Sequence, residues 1–480
     1  MKIEDIGKVL KDCKIYGNHE VEFLSLQHDS RKIRKGDLFV AISGQNNDGH
    51  NFIEDAIKNG AVGAIIEKET TKTFAIPLIK VDDSKVAYAI LSAHMFNNPS
   101  SQLKIVGITG TMGKTTIAYI LYRLFNYASI PSSFIGTIGI GIKDDFELKD
   151  LEPPTTPFPF ELNKYLSLMK DNNVKYVFME VTSHAIKDKR VFGIDFYKKI
   201  LSTMGVDHLD FHKTLEDYLD TKVSFFVDAF SPILNGESLY IERFLEVSKD
   251  PLLYGENPSF DFSYEFINSQ DILLLFNVFK KGSLVGEVKI PLVSKFNIVN
   301  FLAATSFAMV EGIPFSVIRE FGKTVSIPGR MEIRKVSDRV IVVDYAHNPS
   351  EIRSVLENLS LNKKGRLIVV FGAVGTSNTE KRIEMGRVVS NFADFCYVTS
   401  DDSRGFDEKK IIDDILKGVS IDHKVLEDRR LAIKEAVLKS KPNDTIAILG
   451  RGVESKMHLK GGRIVNFRDL DVVEETVYEL

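Results

Sequence analysis

Apolar positions along the chain fall into short runs, bounded by glycine, asparagine and proline, that alternate with stretches of helical spacing. From Gly36 to Glu67 the pattern predicts a strand over Asp37 to Ile42, a polar loop rich in Gly and Asn, a helix over Phe52 to Asn59 and a buried strand over Val62 to Ile66. A second α/β unit opens at Lys104, where the run Ile105 to Ile108 breaks into a glycine loop and then a helical pattern, Ile117 to Phe125. Val174 to Val181 reads as another buried strand and Asn297 to Val310 as a long apolar helix rich in Ala. After Pro328-Gly329, four β-rich runs (Val340 to Val343, Leu367 to Phe371, Phe395 to Thr399 and Thr445 to Leu449) alternate with helical segments such as Glu351 to Leu359, which predicts a parallel sheet covered by helices. Asn348-Pro349 supplies an N-cap and a first helical residue after the first of these strands. Ligands in such sheets bind outside the carboxyl ends of the strands, so the loops after Val343, Phe371, Thr399 and Leu449 are the ones to read for chemistry.

Length and composition narrow this picture. At 480 residues the chain exceeds one ordinary core. Punctuation divides it into an α/β chain of three domains over residues 1-101, 102-328 and 329-480. Sixty-two basic and 66 acidic residues are interspersed, net charge -4, so no field would hold a polyanion and nucleic acid is not an expected partner. Charges at Lys2, Glu4, Asp5, Lys8, Lys11 and Asp12 break up any signal-peptide core, and no apolar run approaches the length of a membrane span. Cys13 and Cys396 lack a partner motif, which fits a reducing cytoplasm.

The glycine loop carries the strongest chemical signal. In Gly110-Thr111-Met112-Gly113-Lys114-Thr115-Thr116, set between a strand and a helix, the glycines let backbone N–H groups face a phosphate and the helix N-terminus adds a favourable field. Lys114 would neutralise phosphate oxygens, and Thr115 or Thr116 would hold Mg²⁺. Ile108 stands where the first glycine of the common Walker spacing falls. Glu180 ends the strand Lys175 to Val181, and Asp207-His208-Leu209-Asp210-Phe211-His212 follows; carboxylate and imidazole at strand ends suit Mg²⁺ near a phosphate. Taken alone, Glu180 is equally a surface charge, and His184 or His212 a satisfied loop histidine.

Together these segments resemble the Mur ligases, which extend the peptidoglycan precursor, most of all those adding the third residue of the stem peptide. The resemblance runs in order through His28-Asp29-Ser30-Arg31, Asp48-Gly49-His50, Pro154-Thr155-Thr156-Pro157, Met179 to His184, Asp207 to Asp210, Tyr218 to Phe226, Asn297 to Ala304, Pro328 to Glu332 and Asp344 to Pro349. It implies a UDP-sugar-binding first domain, a central ATP-binding domain with a phosphate loop, and a Rossmann-like amino-acid-binding third domain. The implied enzyme is a monomeric, cytoplasmic, ATP-dependent ligase that activates a carboxylate as an acyl phosphate and joins it to an amine. Its substrates would be ATP, a UDP-MurNAc-dipeptide and a diamino acid. The resemblance places Ser30 near the uridine diphosphate and Thr155, Thr156, Ser183 and Arg190 at the muramoyl-peptide end. Gly110, Thr111, Gly113, Lys114, Thr115 and Thr116 would hold ATP phosphates, Asn300 would approach the adenine, and Arg330, Asp344 and His347 would close over the nucleotide. Thr115, Glu180 and His208 would ligate two Mg²⁺ ions together with Lys222, which matches the lysine this family carbamylates. Sequence alone reads Lys222 as a solvated helix lysine, whereas a carbamate made from CO₂ is an anionic oxygen ligand.

The acceptor amine follows from the last loops. Ligases of this type that use meso-diaminopimelate usually read Asp-Asn-Pro-Arg where this chain has Asp401-Asp402-Ser403-Arg404, and Gly-Lys-Gly-His-Glu where it has Gly450-Arg451-Gly452-Val453-Glu454. Arg404 and Arg382 would pair with acceptor carboxylates and Glu454 with a distal ammonium, favouring meso-diaminopimelate over L-lysine; Asp402 and Gly450 complete this set. Gly375-Thr376-Ser377-Asn378 replaces a charged Gly-Asp-Arg-Asp loop. A folylpolyglutamate-type ligase and a silent nucleotide-binding paralogue are the competing readings; the uridine-type first domain argues against one, and Lys114, Glu180, His208 and Lys222 against the other.

Overall fold

The computed structural model describes residues 1–44, 47–70, 72–147, 155–207, 209–270, 273–292 and 294–479. These form two compact units, one built largely from residues up to Leu252 and one largely from Leu253 onward.

The first unit begins with a five-stranded sheet in the order Lys14–Tyr16, Leu78–Lys80, Gly63–Ile66, Asp37–Val40, Ser25–Gln27, parallel except for the first strand. Both faces are covered, which is why its strands read as unbroken apolar runs. Leu38 and Val40 join a core with Ile6, Tyr88 and Leu91, while Phe39 and Ala41 join a separate core with Ile53 and Ala56. The central sheet of this unit pairs Lys104–Thr109 in parallel with Phe196–Leu201 on one side and Tyr176–Glu180 on the other, followed by Ser132–Gly136. The helix that follows Lys104–Thr109 runs Lys114–Tyr127, so it starts three residues before the expected Ile117, and Lys114 is its first residue.

The second unit holds an antiparallel meander, Phe262–Gln270, Leu273–Lys280 and Ser283–Ile290, that the sequence pattern did not single out. Phe276 of the meander packs edge-on against Phe301 of the helix Phe296–Val310. Beyond it lies a six-stranded sheet in the order Glu332–Val336, Arg339–Asp344, Thr445–Leu449, Leu367–Phe371, Phe395–Val398, His423–Val425, parallel except for the first strand. The four expected strands are its centre; two short edge strands were not read from the sequence. Alternate residues again serve two cores, Leu367, Val369 and Phe371 facing Ile352, Met385 and Ile412, and Ile368 and Val370 facing Ile433 and Val473. Asn348 caps the helix Pro349–Asn362 as expected, its side chain accepting from the Glu351 N–H at 3.0 Å. The loops after Asp344, Phe371, Val398 and Leu449 all leave the carboxyl edge of this sheet.

Candidate active site

The phosphate loop owes its shape to glycine at two positions. Gly110 (φ +147°) lies so close to Ser202 that a Cβ would stand 2.0 Å from its Oγ, and Gly113 (φ +89°) turns the chain into the helix. Met112 bonds through its N–H to the Thr203 carbonyl at 3.2 Å, and Thr111 Oγ1 lies 2.7 Å from the Tyr218 hydroxyl. Lys114 Nζ folds over its own loop, donating to the Gly110 and Thr111 carbonyls at 2.9 Å each. Thr115 and Thr116 are buried in the first helical turn.

Glu180, fully buried at the end of its strand, gathers this region around one carboxylate. Thr115 Oγ1 donates to Oε2 at 2.9 Å, Thr137 N–H to Oε1 at 2.8 Å and Thr137 Oγ1 to Oε2 at 3.1 Å. Thr155 meets the Thr137 hydroxyl at 3.1 Å, and Thr156 Oγ1 donates to the Glu180 carbonyl at 2.9 Å. Thr137 was not singled out from the sequence; it bonds Glu180 across the gap between neighbouring strands, a relation that no local spacing encodes. A hard dication takes oxygen ligands, and Thr115 Oγ1 with the Glu180 carboxylate is such a set already in contact, so these residues fit Mg²⁺. His208 lies outside the described residues. His212 is buried with Nδ1 3.4 Å from Asp217, and His184 stacks on Phe211 at 3.9 Å.

Lys222 is where the residue-level expectation fails. It is 1% exposed, on the face of the helix Leu215–Ser224 that also buries Tyr218, Leu219 and Val223. Nζ donates to the Gly110 carbonyl at 2.7 Å and Thr109 Oγ1 at 3.3 Å and stands 5.1 Å from the Tyr218 ring centre. Burial, with Lys114 nearby adding repulsion and Asp207 opposing, pushes its pKa well below the ordinary lysine value. Burial thus favours the uncharged amine, the form that reacts with CO₂.

A cavity of about 700 Å³ in the same unit is lined by Ser30 together with His28, Tyr88, Lys85, Phe158 and Asp188, among others. His28 stacks on Phe158 with ring centres 3.8 Å apart, and burial lowers its pKa to about 4, so it is neutral at physiological pH. Arg190 also lies over Phe158, at 4.4 Å, and donates to Asp188 at 3.1 Å and the Thr156 carbonyl at 3.3 Å. Lys85 binds the other oxygen of Asp188 at 2.8 Å. Ser183 is buried, with no hydrogen-bond partner for its hydroxyl among the described residues. Lys85, Phe158 and Asp188 gave no motif in the sequence.

In the second unit, the Arg330 guanidinium covers the Tyr345 ring at 4.4 Å. Asp344 accepts from the Met331 and Ala346 N–H groups at 2.7 Å each, and its burial raises its pKa against the opposing pull of Arg330. His347 Nδ1 lies 3.1 Å from the Tyr345 carbonyl and 3.2 Å from Glu351. Asn300 is buried in the helix Phe296–Val310.

The acceptor loops meet at the carboxyl edge of the six-stranded sheet. Arg404 adopts φ +47°, and its Nε donates to Asp402 Oδ2 at 2.8 Å, leaving the ends of the fork toward solvent with the side chain 47% exposed. Asp402 Oδ1 accepts from the His458 N–H at 2.5 Å. Glu454 is pushed up to about 7, by burial foremost, with Arg451 and Arg404 opposing and Asp401 and Asp402 adding to it. Gly450 (φ +121°) brings the backbone against Asp401, where a Cβ would meet Oδ2 at 2.5 Å. Gly329 is pressed against the same loop, its virtual Cβ 2.4 Å from the Val453 nitrogen. Arg382 is buried, donating to Asp414 at 3.1 Å and the Gly375 carbonyl at 2.7 Å, so it braces the 375–378 loop from beneath.

Sequence and fold comparisons identify the family. Family models described as Mur ligase family, catalytic domain; Mur ligase middle domain; and Mur ligase, glutamate ligase domain match residues 22–102, 108–308 and 329–452. The chain belongs to the Mur ligase family and is an ATP-dependent ligase with that family's three-domain α/β fold. It is 36% identical over 485 residues to UDP-N-acetylmuramoyl-L-alanyl-D-glutamate--2,6-diaminopimelate ligase 1 of Clostridium acetobutylicum, covering 99% of both chains. It is 35% identical over 489 residues to the correspondingly named ligase of Clostridium tetani, covering 100% of both. A solved structure of a UDP-N-acetylmuramoyl-L-alanyl-D-glutamate--2,6-diaminopimelate ligase superposes with TM-score 0.66 at 25% identity, covering 100% of this chain and 99% of that one. The fold is shared with a folylpolyglutamate synthase from Thermotoga maritima (TM-score 0.62, 17% identity), over 76% of this chain and 90% of that one.

Proposed function

We propose that this protein adds the third, diamino residue to UDP-N-acetylmuramoyl-L-alanyl-D-glutamate in peptidoglycan precursor synthesis, with meso-diaminopimelate preferred to L-lysine. The observation that carries the reading is a half-exposed Arg404, held by Asp402, within electrostatic reach of Glu454 at the carboxyl edge of the last sheet, a carboxylate reader near an ammonium reader. Relatives so named along essentially their whole length support it. The same reading divides the chain at residues 1-101, 102-328 and 329-480 and makes it a monomeric cytoplasmic enzyme; no helix among the described residues is long and apolar enough to cross a membrane.

In the reaction, a carboxylate oxygen of the dipeptide attacks the γ-phosphorus of ATP as the bond to the β-phosphate oxygen breaks. The amine then attacks the acyl carbon, phosphate leaves, and the amine proton passes to solvent. Lys114 exchanges its two loop carbonyls for phosphate oxygens at the helix N-terminus, with Gly110, Thr111, Gly113 and Thr116 shaping the cradle. Thr115, Glu180, His208 and a carbamylated Lys222 would hold Mg²⁺, which would supply charge neutralisation at the phosphates. Lys222 gains its carbamate when the neutral amine forms a bond to the CO₂ carbon and loses a proton. Asn300, Arg330, Asp344 and His347 are assigned to the nucleotide, Ser30 to the uridine diphosphate, and Thr155, Thr156, Ser183 and Arg190 to the muramoyl peptide. Arg404, Asp402, Gly450 and Glu454 form the acceptor pocket, with Arg382 supporting it through the 375–378 loop. Phosphate release with the UDP-dipeptide, ATP and a panel of meso-diaminopimelate, L-lysine, L-ornithine and monoamino acids tests the assignment; a preference for a monoamino acid, or turnover independent of the UDP-dipeptide, would sink it.

A further inference from the structure

The loops that present Arg404 and Glu454 come from different strands, yet they share a buried ion pair. Arg451 has no exposed surface, so it cannot touch a substrate. Its Nη1 donates to Asp401 Oδ1 at 3.1 Å and lies 3.6 Å from Glu454, while Nη2 donates to the Lys456 carbonyl at 2.7 Å. Asp401 Oδ1 also accepts from the Asp402 N–H at 2.7 Å, and Asp402 in turn holds Arg404. On the other branch, the Glu454 N–H donates to the Arg451 carbonyl at 3.0 Å. One guanidinium therefore stands at the head of both readers.

We propose that Arg451 is a positioning residue for the amine acceptor: through its buried pair with Asp401 it fixes the 401–404 loop against the 450–454 loop and so sets the spacing of Arg404 and Glu454. The inference rests on the acceptor reading given above. A second buried pair beneath it, Arg429 with Asp469 at 2.7 Å, ties the end of the Thr445–Leu449 strand by a further bond to the Leu449 carbonyl at 2.9 Å. The Arg429 charge also acts on Asp401; Arg451 adds the direct side-chain hydrogen bond from the 450–454 loop to the 401–404 loop. A planar fork reaches Asp401 and the Lys456 carbonyl while facing Glu454, which a lysine, a point charge on a flexible stem, does not reproduce. Arg451 has an electrostatic task as well. Glu454 is faced by Arg451, Arg404 and Arg429 on the favourable side, and by Asp401, Asp402 and Tyr345 on the other. Loss of Arg451 removes the cation that acts most strongly on Glu454 and leaves two arginines against two aspartates, so Glu454 holds its proton to higher pH.

The test compares wild type, Arg451→Lys, Arg451→Met and the charge-neutral pair Asp401→Asn/Arg451→Met, the last included because a lone buried Asp401 costs folding stability. Acceptor and ATP kinetics are measured between pH 5.5 and 9 on whichever amino acid of the panel wild type uses best. Wild type's choice judges the acceptor reading; the variants judge Arg451. If no amino acid is used, that reading falls, and titration of Glu454 by NMR in the same variants decides the present one. The expected result is an acceptor KM raised roughly tenfold or more in both Met variants, ATP KM within about twofold of wild type, partial recovery in Arg451→Lys, and an acid limb moved to higher pH in Arg451→Met. An unchanged acceptor KM, equal losses for ATP and acceptor, or an acid limb and Glu454 titration that stay put in folded Arg451→Met overturn it.

Discussion

Replacing Lys222 by Met separates the two uses a buried lysine can have. In the fold, Nζ supplies two hydrogen bonds, to the Gly110 carbonyl and Thr109 Oγ1. Losing them costs about 1 kcal/mol each. Against this stands relief of the penalty for burying an amine, whose folded pKa lies well below its ordinary value. The sign follows: a lysine whose charged form is disfavoured in the folded state weakens that state as pH falls below the unfolded pKa, so the substitution stabilises at neutral pH and below. The terms oppose one another, so the change in Tm should be small beside the change in activity. Catalysis has no such offset. Losing an anionic ligand of the metal ion that would neutralise the transferring phosphoryl should cost about as much as losing one oxyanion-hole donor, about 2.7–4 kcal/mol or a factor of about 10²–10³ in kcat. The assay is ADP release with saturating substrates, run in CO₂-depleted buffer and with added bicarbonate, alongside ¹³C NMR of enzyme equilibrated with ¹³CO₂. Wild type should lose activity on depletion and regain it with bicarbonate, while Lys222→Met should ignore bicarbonate and recover partly with a short carboxylate such as formate. A folded Lys222→Met enzyme within about tenfold of wild type, or an active wild type with no carbamate resonance, would falsify the carbamate role.

Further outcomes follow from the same geometry. Lys114→Ala should abolish ligation while circular dichroism and Tm stay close to wild type, because the side chain lies over a loop, bonded to the Gly110 and Thr111 carbonyls, rather than in a core; near-normal turnover would remove the glycine loop from the mechanism. Arg404→Ala should cost about 2 kcal/mol in acceptor kcat/KM, near the low end for a charge-assisted contact because the side chain is half exposed, with a larger loss for meso-diaminopimelate than for L-lysine. An unchanged acceptor ranking would count against the assignment. Glu454, pushed up to about 7, should give acceptor kcat/KM a rise with pH through that region, absent in Glu454→Gln. Since its charged form is penalised in the fold, stability falls as pH rises from its ordinary value through 7, and Glu454→Gln should raise Tm more at pH 8 than at pH 5; an equal gain at both would contradict the burial argument.

How much of this was legible in the sequence depends on the range over which each feature is encoded. The strand, glycine loop and helix at Lys114, and the Asn348 cap, are fixed by neighbours within a few residues, and they stand as read. Lys222 shows a local signal passed over: it falls four residues after Tyr218 and three after Leu219, on the apolar side of its helix, so the spacing already pointed inward. The Phe262 to Ile290 meander was missed for another reason. Its middle strand reads Leu273-Leu274-Leu275-Phe276-Asn277-Val278-Phe279-Lys280, apolar on both faces, and the alternation that betrays a half-buried strand is blurred although the burial alternates. Arg382 was read from the sequence as a contact to the acceptor carboxylates, whereas the structure turns it inward. Its partner Asp414 lies 32 residues away on another helix, and only the packing of the two helices decides that the guanidinium turns inward.

The phosphate loop of this chain is occupied by its own side chains. Lys114 sits on the Gly110 and Thr111 carbonyls, Lys222 on the Gly110 carbonyl, and Thr115 on Glu180. An incoming anion must therefore outbid internal bonds rather than fill a void. Of these groups it is Lys114 that exchanges partners, giving up two carbonyl oxygens as it takes phosphate oxygens, so binding there is a swap of hydrogen bonds and its net gain is smaller than the number of new contacts suggests.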